Sequence, residues 1–168
     1  MISDTLKQLD AWYNEPSEGG HRPKLLSKLA ILELCGWIES ELDRIVLGVE
    51  AGRLNDPSWV QENVISKTYG FGYTEHWRPM FSKLVGELFA RRIEAEMERT
   101  FPGELERMRS QLGTLWRIRC SLAHSHVTAA VSPQQTLNAP SWAINQHRVL
   151  LKLMSSYEQA TTTVLAGV

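Results

Sequence analysis

From Ile31 to Val49, the apolar residues Ile31, Leu34, Cys35, Ile38, Leu42, Ile45 and Val49 recur every three or four positions. Those spacings return to one face only if the backbone turns every 3.6 residues, so this stretch can bury a continuous stripe only as an α-helix. The same rhythm runs through nearly the whole chain. Residues 3–13 form a short amphipathic segment around Leu6, Leu9 and Trp12, and EPSEGGHRP at 15–23 is a turn-rich break. The long helix runs from Lys24 to about Glu50; its first half is apolar nearly all round, which predicts a central position. Gly52 and the following RLND end it. Asp56 and Pro57 predict an N-cap and first helical position for a short helix to about Lys67. Helix returns over 75–100, where Val85, Phe89, Ile93 and Met97 step by four, Leu84 and Leu88 lie beside them, and the charges of RRIEAEMER are expected to face solvent. Pro102-Gly103 breaks the chain, and the next helix runs from Glu104 to about Ala123. The polar connection TAAVSPQQTLN follows, and Pro140 opens a last helix to about Leu165. No stretch alternates as a strand would. The expected fold is all-α, an up-and-down helical bundle of four to six helices forming a single domain over 1–168.

Composition narrows the function. A formal net charge of -1 argues against nucleic-acid binding driven by bulk charge and leaves room for a local basic patch. The two cysteines, Cys35 and Cys120, form no CxxC pair, so a reducing cytoplasm is expected. MISDTLKQLDAWYNE carries charges and no apolar core, so no signal peptide is expected, and no apolar run reaches membrane-spanning length. There is no Walker-type glycine loop, Rossmann fingerprint or serine elbow. YGFGYT at 69–74 sets two glycines among aromatics; it is expected to be a loop packed into the core, the other reading being a platform that stacks bases on Tyr69, Phe71 and Tyr73.

The informative segment is RIRCSLAHSHV at 117–127. Leu105, Met108, Leu112, Leu115, Arg119, Leu122 and His126 step by three and four, which puts Arg119 and His126 on the buried stripe of their helix. A cation there must be paired, or the stripe must face a cleft. His124 follows Arg119 by five residues, a separation of about 140° on an ideal helix. The two converge easily only if the helix ends or bends near Ala123. An Arg followed at this range by a His arises about once by chance in such a composition. Here three such pairs overlap: Arg119 with His124, Arg119 with His126, and Arg117 with His124. The plain reading is an arginine that binds helix carbonyls.

Arg119-Cys-Ser-Leu-Ala-His124, late in a helical chain and preceded by a long helix bearing CGWIESEL (35–42), resembles the HEPN superfamily, and most the small stand-alone prokaryotic members of RiboL-PSP type. That signature is an Arg, four to six residues, and a His at the end of a late helix. The resemblance implies a helical bundle that dimerises with its motif helices facing each other. It also implies metal-independent RNA cleavage, with toxin–antitoxin or phage-defence roles and a cognate antitoxin or nucleotidyltransferase as protein partner. Many active members carry Asn, Asp or His directly after the Arg; this chain has Cys120. A non-catalytic scaffold, or a module binding RNA or nucleotide, therefore stays open beside the nuclease.

The chemistry suits the residues. RNA carries its own nucleophile, the 2′-OH, and cleavage needs a proton acceptor, a proton donor and stabilisation of the phosphorane. Arg119 supplies a permanent cation with forked donors for phosphate, and His124 titrates near neutrality as general base or acid. His126 is the competing catalytic candidate, Arg117 an additional phosphate contact, and Glu39, on an apolar line with Leu25, Leu32 and Val46, a carboxylate that could orient Arg119. No cofactor is expected. Cys120 and His124 share a helix face with His126 near, but a fourth ligand is missing, so no metal site is expected.

Overall fold

A computed structural model describes residues 1–16, 21–50, 56–123 and 137–167 of the chain. The fold is all-α. The described residues form seven α-helices and no strand: α1 (Ile2–Asn14), α2 (His21–Glu50), α3 (Pro57–Asn63), α4 (Arg78–Val85), α5 (Glu87–Thr100), α6 (Glu104–Ala123) and α7 (Pro140–Ala166), with a 3₁₀ turn at Ile65–Lys67 and a π-turn at Tyr73–Trp77. They build two compact units. The first comprises Met1–Trp37 and Arg117–Val149, the second Ile38–Trp116 and Leu150–Val168.

In the first unit, Leu6 and Leu9 of α1, Ala30, Ile31, Leu34 and Cys35 of α2, Leu122 of α6 and Ala143 of α7 are buried. Trp12, expected on the α1 face, is exposed, because its position falls to the edge of the stripe that Leu6 and Leu9 define. The nearly all-round apolar surface in the first half of α2 is not fully covered: Leu25 and Leu29, one turn apart, are 49% and 42% exposed. The helix starts at His21, three residues earlier than read, since Pro23 lies in a first turn whose N–H groups have no helical partner to lose.

The second unit holds the larger core. Trp77, Phe81 and Tyr157 meet with ring centroids 5.2–5.6 Å apart, in the edge-on and tilted arrangements that ring quadrupoles favour. Ile38, Leu42, Ile45, Ile93 and Met97 are fully buried beside Leu112 and Leu115. Asp56 caps α3 as expected, its carboxylate accepting the Trp59 N–H at 3.0 Å, with Pro57 at the first helical position.

The single helix expected over 75–100 is three pieces. The π-turn opens it, with the Trp77 N–H donating to the Gly72 carbonyl at 3.0 Å. Gly86 then divides α4 from α5 at φ 83°, ψ 153°, a conformation essentially confined to glycine. Nor does all of RRIEAEMER face water. Arg91 and Arg92 do, but the Glu94 side chain is only 16% exposed. It accepts the Tyr73 hydroxyl at 2.8 Å and pairs with Arg109 at 3.2 Å and Arg78 at 3.5 Å. Arg109 also lies over the Tyr73 ring, 5.3 Å from its centroid. Burial, followed by neighbouring Tyr157 and Glu94, pushes the Tyr73 hydroxyl far above its ordinary pKa, so it stays a donor.

Candidate functional site

The apolar line of α6 is buried at Leu105, Met108, Leu112, Leu115 and Leu122. Arg119 occupies the position on that line between Leu115 and Leu122 and is half-buried there. Arg117 is exposed. Two residues rotate an α-helix by about 200°, so the two arginines leave α6 from opposite sides. Cys120, a free thiol, is half-buried, and Ser121 is exposed. His124 and His126, the proton-transfer candidates, lie outside the described residues.

Arg117 stands at an open groove of about 250 Å³ within the first unit. Its apolar lining is Ile31 and Leu122, both buried, with Ile118 and Leu137, both half-buried. Arg117, Ser121 and Asn138 are the polar groups that line it, all three exposed. Sequence reasoning missed this groove. The local signal was there: Ser121 follows Arg117, and Leu122 follows Ile118, by one helical turn, so the four share a face. Leu137 and Asn138 gave no signal, because they come from a polar connection without periodicity.

Glu39 is half-buried on α2, in the second unit, whereas Arg119 belongs to the first. Its near neighbour along the helix is Asp43. Burial, and then the charge of Glu39, push the Asp43 carboxyl above the ordinary aspartate range. YGFGYT is packed as expected: Phe71 and Tyr73 are buried, while Tyr69 is 81% exposed. Its glycines are needed for a close approach. A Cβ at Gly70, where φ is +134°, would stand 2.8 Å from the Trp116 ring and 2.9 Å from His76. Phe71 and His76 both meet Trp116 edge-on, at 5.4 and 4.7 Å between centroids. The loop thus clasps the residue of α6 that directly precedes Arg117.

Among the described residues, no three His, Cys, Asp or Glu side chains are grouped to hold a metal ion, and no helix is long and apolar enough to cross a membrane. Fold and site together define an all-α protein whose sixth helix sets one arginine into its buried line and a second at a groove. No family model, no curated protein and no solved structure matches the chain.

Proposed function

We propose that the protein is a HEPN-type, metal-independent endoribonuclease that cleaves RNA through attack of the 2′-OH. The observation that carries this reading is Arg119: an arginine, half-buried as a residue, on an otherwise buried apolar line, in the last turns of α6, five residues before His124. In the proposed reaction His124 takes the 2′ proton, the 2′-oxygen bonds to phosphorus, and Arg119 stabilises the added negative charge on the phosphoryl oxygens. The P–O5′ bond then breaks, the 5′-oxygen takes a proton from water, and the protonated His124 returns its proton to solvent. The products are a 2′,3′-cyclic phosphate and a 5′-OH. A homodimer with the two α6 helices near its twofold axis would duplicate these groups in one cleft.

The test is purified protein incubated with total RNA in EDTA, followed by end-group analysis. Cyclic phosphate ends are expected, with no cutting where the nucleotide 5′ of the scissile bond is 2′-deoxy. Arg119→Ala and His124→Ala should each lower the rate about 10²-fold or more, and His126→Ala less. Absence of cleavage by the wild type sinks the reading.

A second reading has its own observation. Leu25 and Leu29 present an apolar pair to solvent on one face of α2, and such a face suits an interaction module that binds a protein partner without cutting. Under that reading, Leu25→Glu abolishes partner capture while RNA stays intact in every assay.

A further inference from the structure

We propose that the groove beside α6 is a nucleotide subsite, which seats one unstacked base of single-stranded RNA and holds the adjoining phosphate on Arg117. The inference rests on the RNA reading above and deepens it. Size is the first argument. At about 250 Å³ the groove falls just below the range of about 300–1,000 Å³ common for small-molecule pockets. That suits a single planar base better than a paired duplex or a large cofactor. Lining is the second. Ile31, Leu122, Ile118 and Leu137 are apolar, as the face of a base requires, and the polar residues Arg117, Ser121 and Asn138 that line the groove with them are all exposed. Base edges present donors and acceptors side by side. The Asn138 amide carries both.

Charge is the third argument. Among the described residues lining the groove, Arg117 is the cation and none is acidic, a lining better suited to an anion than to a cation. A guanidinium has five N–H donors, and one held within the protein leaves others for a phosphate. An apolar side chain from a protein partner would use the apolar lining equally well. It would, however, cover the exposed residues Arg117, Ser121 and Asn138 with carbon and add no hydrogen bond to them, which is unfavourable. A nucleotide matches both the apolar and the polar lining.

The experiment uses labelled 2′-O-methyl hexamers of each base, which have no free 2′-OH and so bind without being cut. Binding is read by fluorescence anisotropy in EDTA over a range of salt. The wild type should favour one base. Ser121→Phe, a change at an exposed helical position that fills the groove, should weaken that binding about tenfold or more with an unchanged melting temperature. Asn138→Ala should flatten the base preference. Arg117→Ala should reduce the slope of log affinity against log salt by about 0.7, the value for one phosphate on a single strand; Arg117→Lys should restore it. Equal binding of all four hexamers by the wild type, or undiminished binding by Ser121→Phe, overturns the subsite. So does a Ser121→Phe chain that binds RNA normally but loses self-association, since the groove then belongs to a second copy. Cleavage of natural RNA, run in parallel, separates the two claims. Cutting with unchanged kcat/KM and site preference in Ser121→Phe removes the subsite and leaves the nuclease. Groove-dependent binding without any cutting removes the nuclease and leaves the subsite.

Discussion

Replacing Glu94 tests whether a carboxylate that reads as surface charge holds the second unit together. Its side chain is 16% exposed and accepts from Tyr73 at 2.8 Å and Arg109 at 3.2 Å, with Arg78 at 3.5 Å. A hydrogen bond to a charged group contributes about 1.5–3 kcal/mol, so the two short ones set an upper bound near 3–6 kcal/mol. The bound is not reached. Arg78 keeps its pairing with Glu87, and Arg109, 38% exposed, keeps Glu106 at 3.6 Å. Exposure and these second partners screen and share the interaction. We expect Glu94→Ala to cost about 2–4 kcal/mol, and Glu94→Gln, which still accepts the Tyr73 hydroxyl, about 1–2 kcal/mol. For a chain of this size each kcal/mol lowers Tm by about 2–4 °C. Glu94→Ala should therefore melt about 4–16 °C below the wild type and Glu94→Gln about 2–8 °C below it, followed by helical circular dichroism. Tyr73→Phe combined with Glu94→Ala should cost less than the two single losses summed, because both remove the same bond. A Glu94→Ala chain that melts with the wild type would refute the reasoning and return Glu94 to the solvated face.

Gly86→Ala has open space for its Cβ but must hold φ at +83°; it should lose about 1–3 kcal/mol from backbone strain alone, read by denaturant unfolding. Leu112→Ala, at a fully buried position, should cost about 2–5 kcal/mol, whereas half-buried Arg119→Ala should melt close to the wild type; equal losses would make Arg119 a packing residue. Asp43 holds its proton to higher pH when folded than when unfolded. Its contribution is thus fully present below the unfolded aspartate pKa of about 3.9 and is lost as pH rises through the folded value. Asp43→Asn should accordingly raise Tm at neutral pH, with the gain shrinking as the pH falls toward that range; a gain independent of pH would contradict this.

Helix positions were legible where a periodic stripe met a cap or a breaker. Asp56-Pro57, Pro102-Gly103 and Pro140 mark boundaries that α3, α6 and α7 respect, because capping chemistry and missing N–H groups act locally. Gly86 was not legible: a glycine inside an apolar rhythm costs little as helix, and only the tertiary fold decides that it turns to positive φ. Glu94 was misread for a related reason. Helical periodicity places it beside charges, but Tyr73, 21 residues away, and Arg109, 15 away, make its surroundings. Leu25 and Leu29 show the converse, since apolar composition predicts burial without saying whether another element arrives to cover the face. At the site, the line through Arg119 was readable from spacing. The groove was not, because Ile31 and Leu137 join α6 from distant parts of the chain.

Arg117 and Arg119 are easily read as one basic pair, and the helix separates them. The rotation of about 200° between them means that side chains starting from both Cα atoms diverge. One phosphate is not gripped by both unless a long side chain folds back round the helix. Their surroundings differ accordingly. Arg117 is exposed at a groove that Ile31, Ile118, Leu122 and Leu137 also line. Arg119 is half-buried on the line that carries Leu115 and Leu122. Stabilising charge that develops at one moment of a reaction calls for a pre-positioned cation. Holding an RNA strand whose sequence changes calls for an adaptable one. Under the nuclease reading proposed above, Arg119 would serve the reacting phosphate and Arg117 its neighbour, a division of work that the rotation between them along α6 calls for.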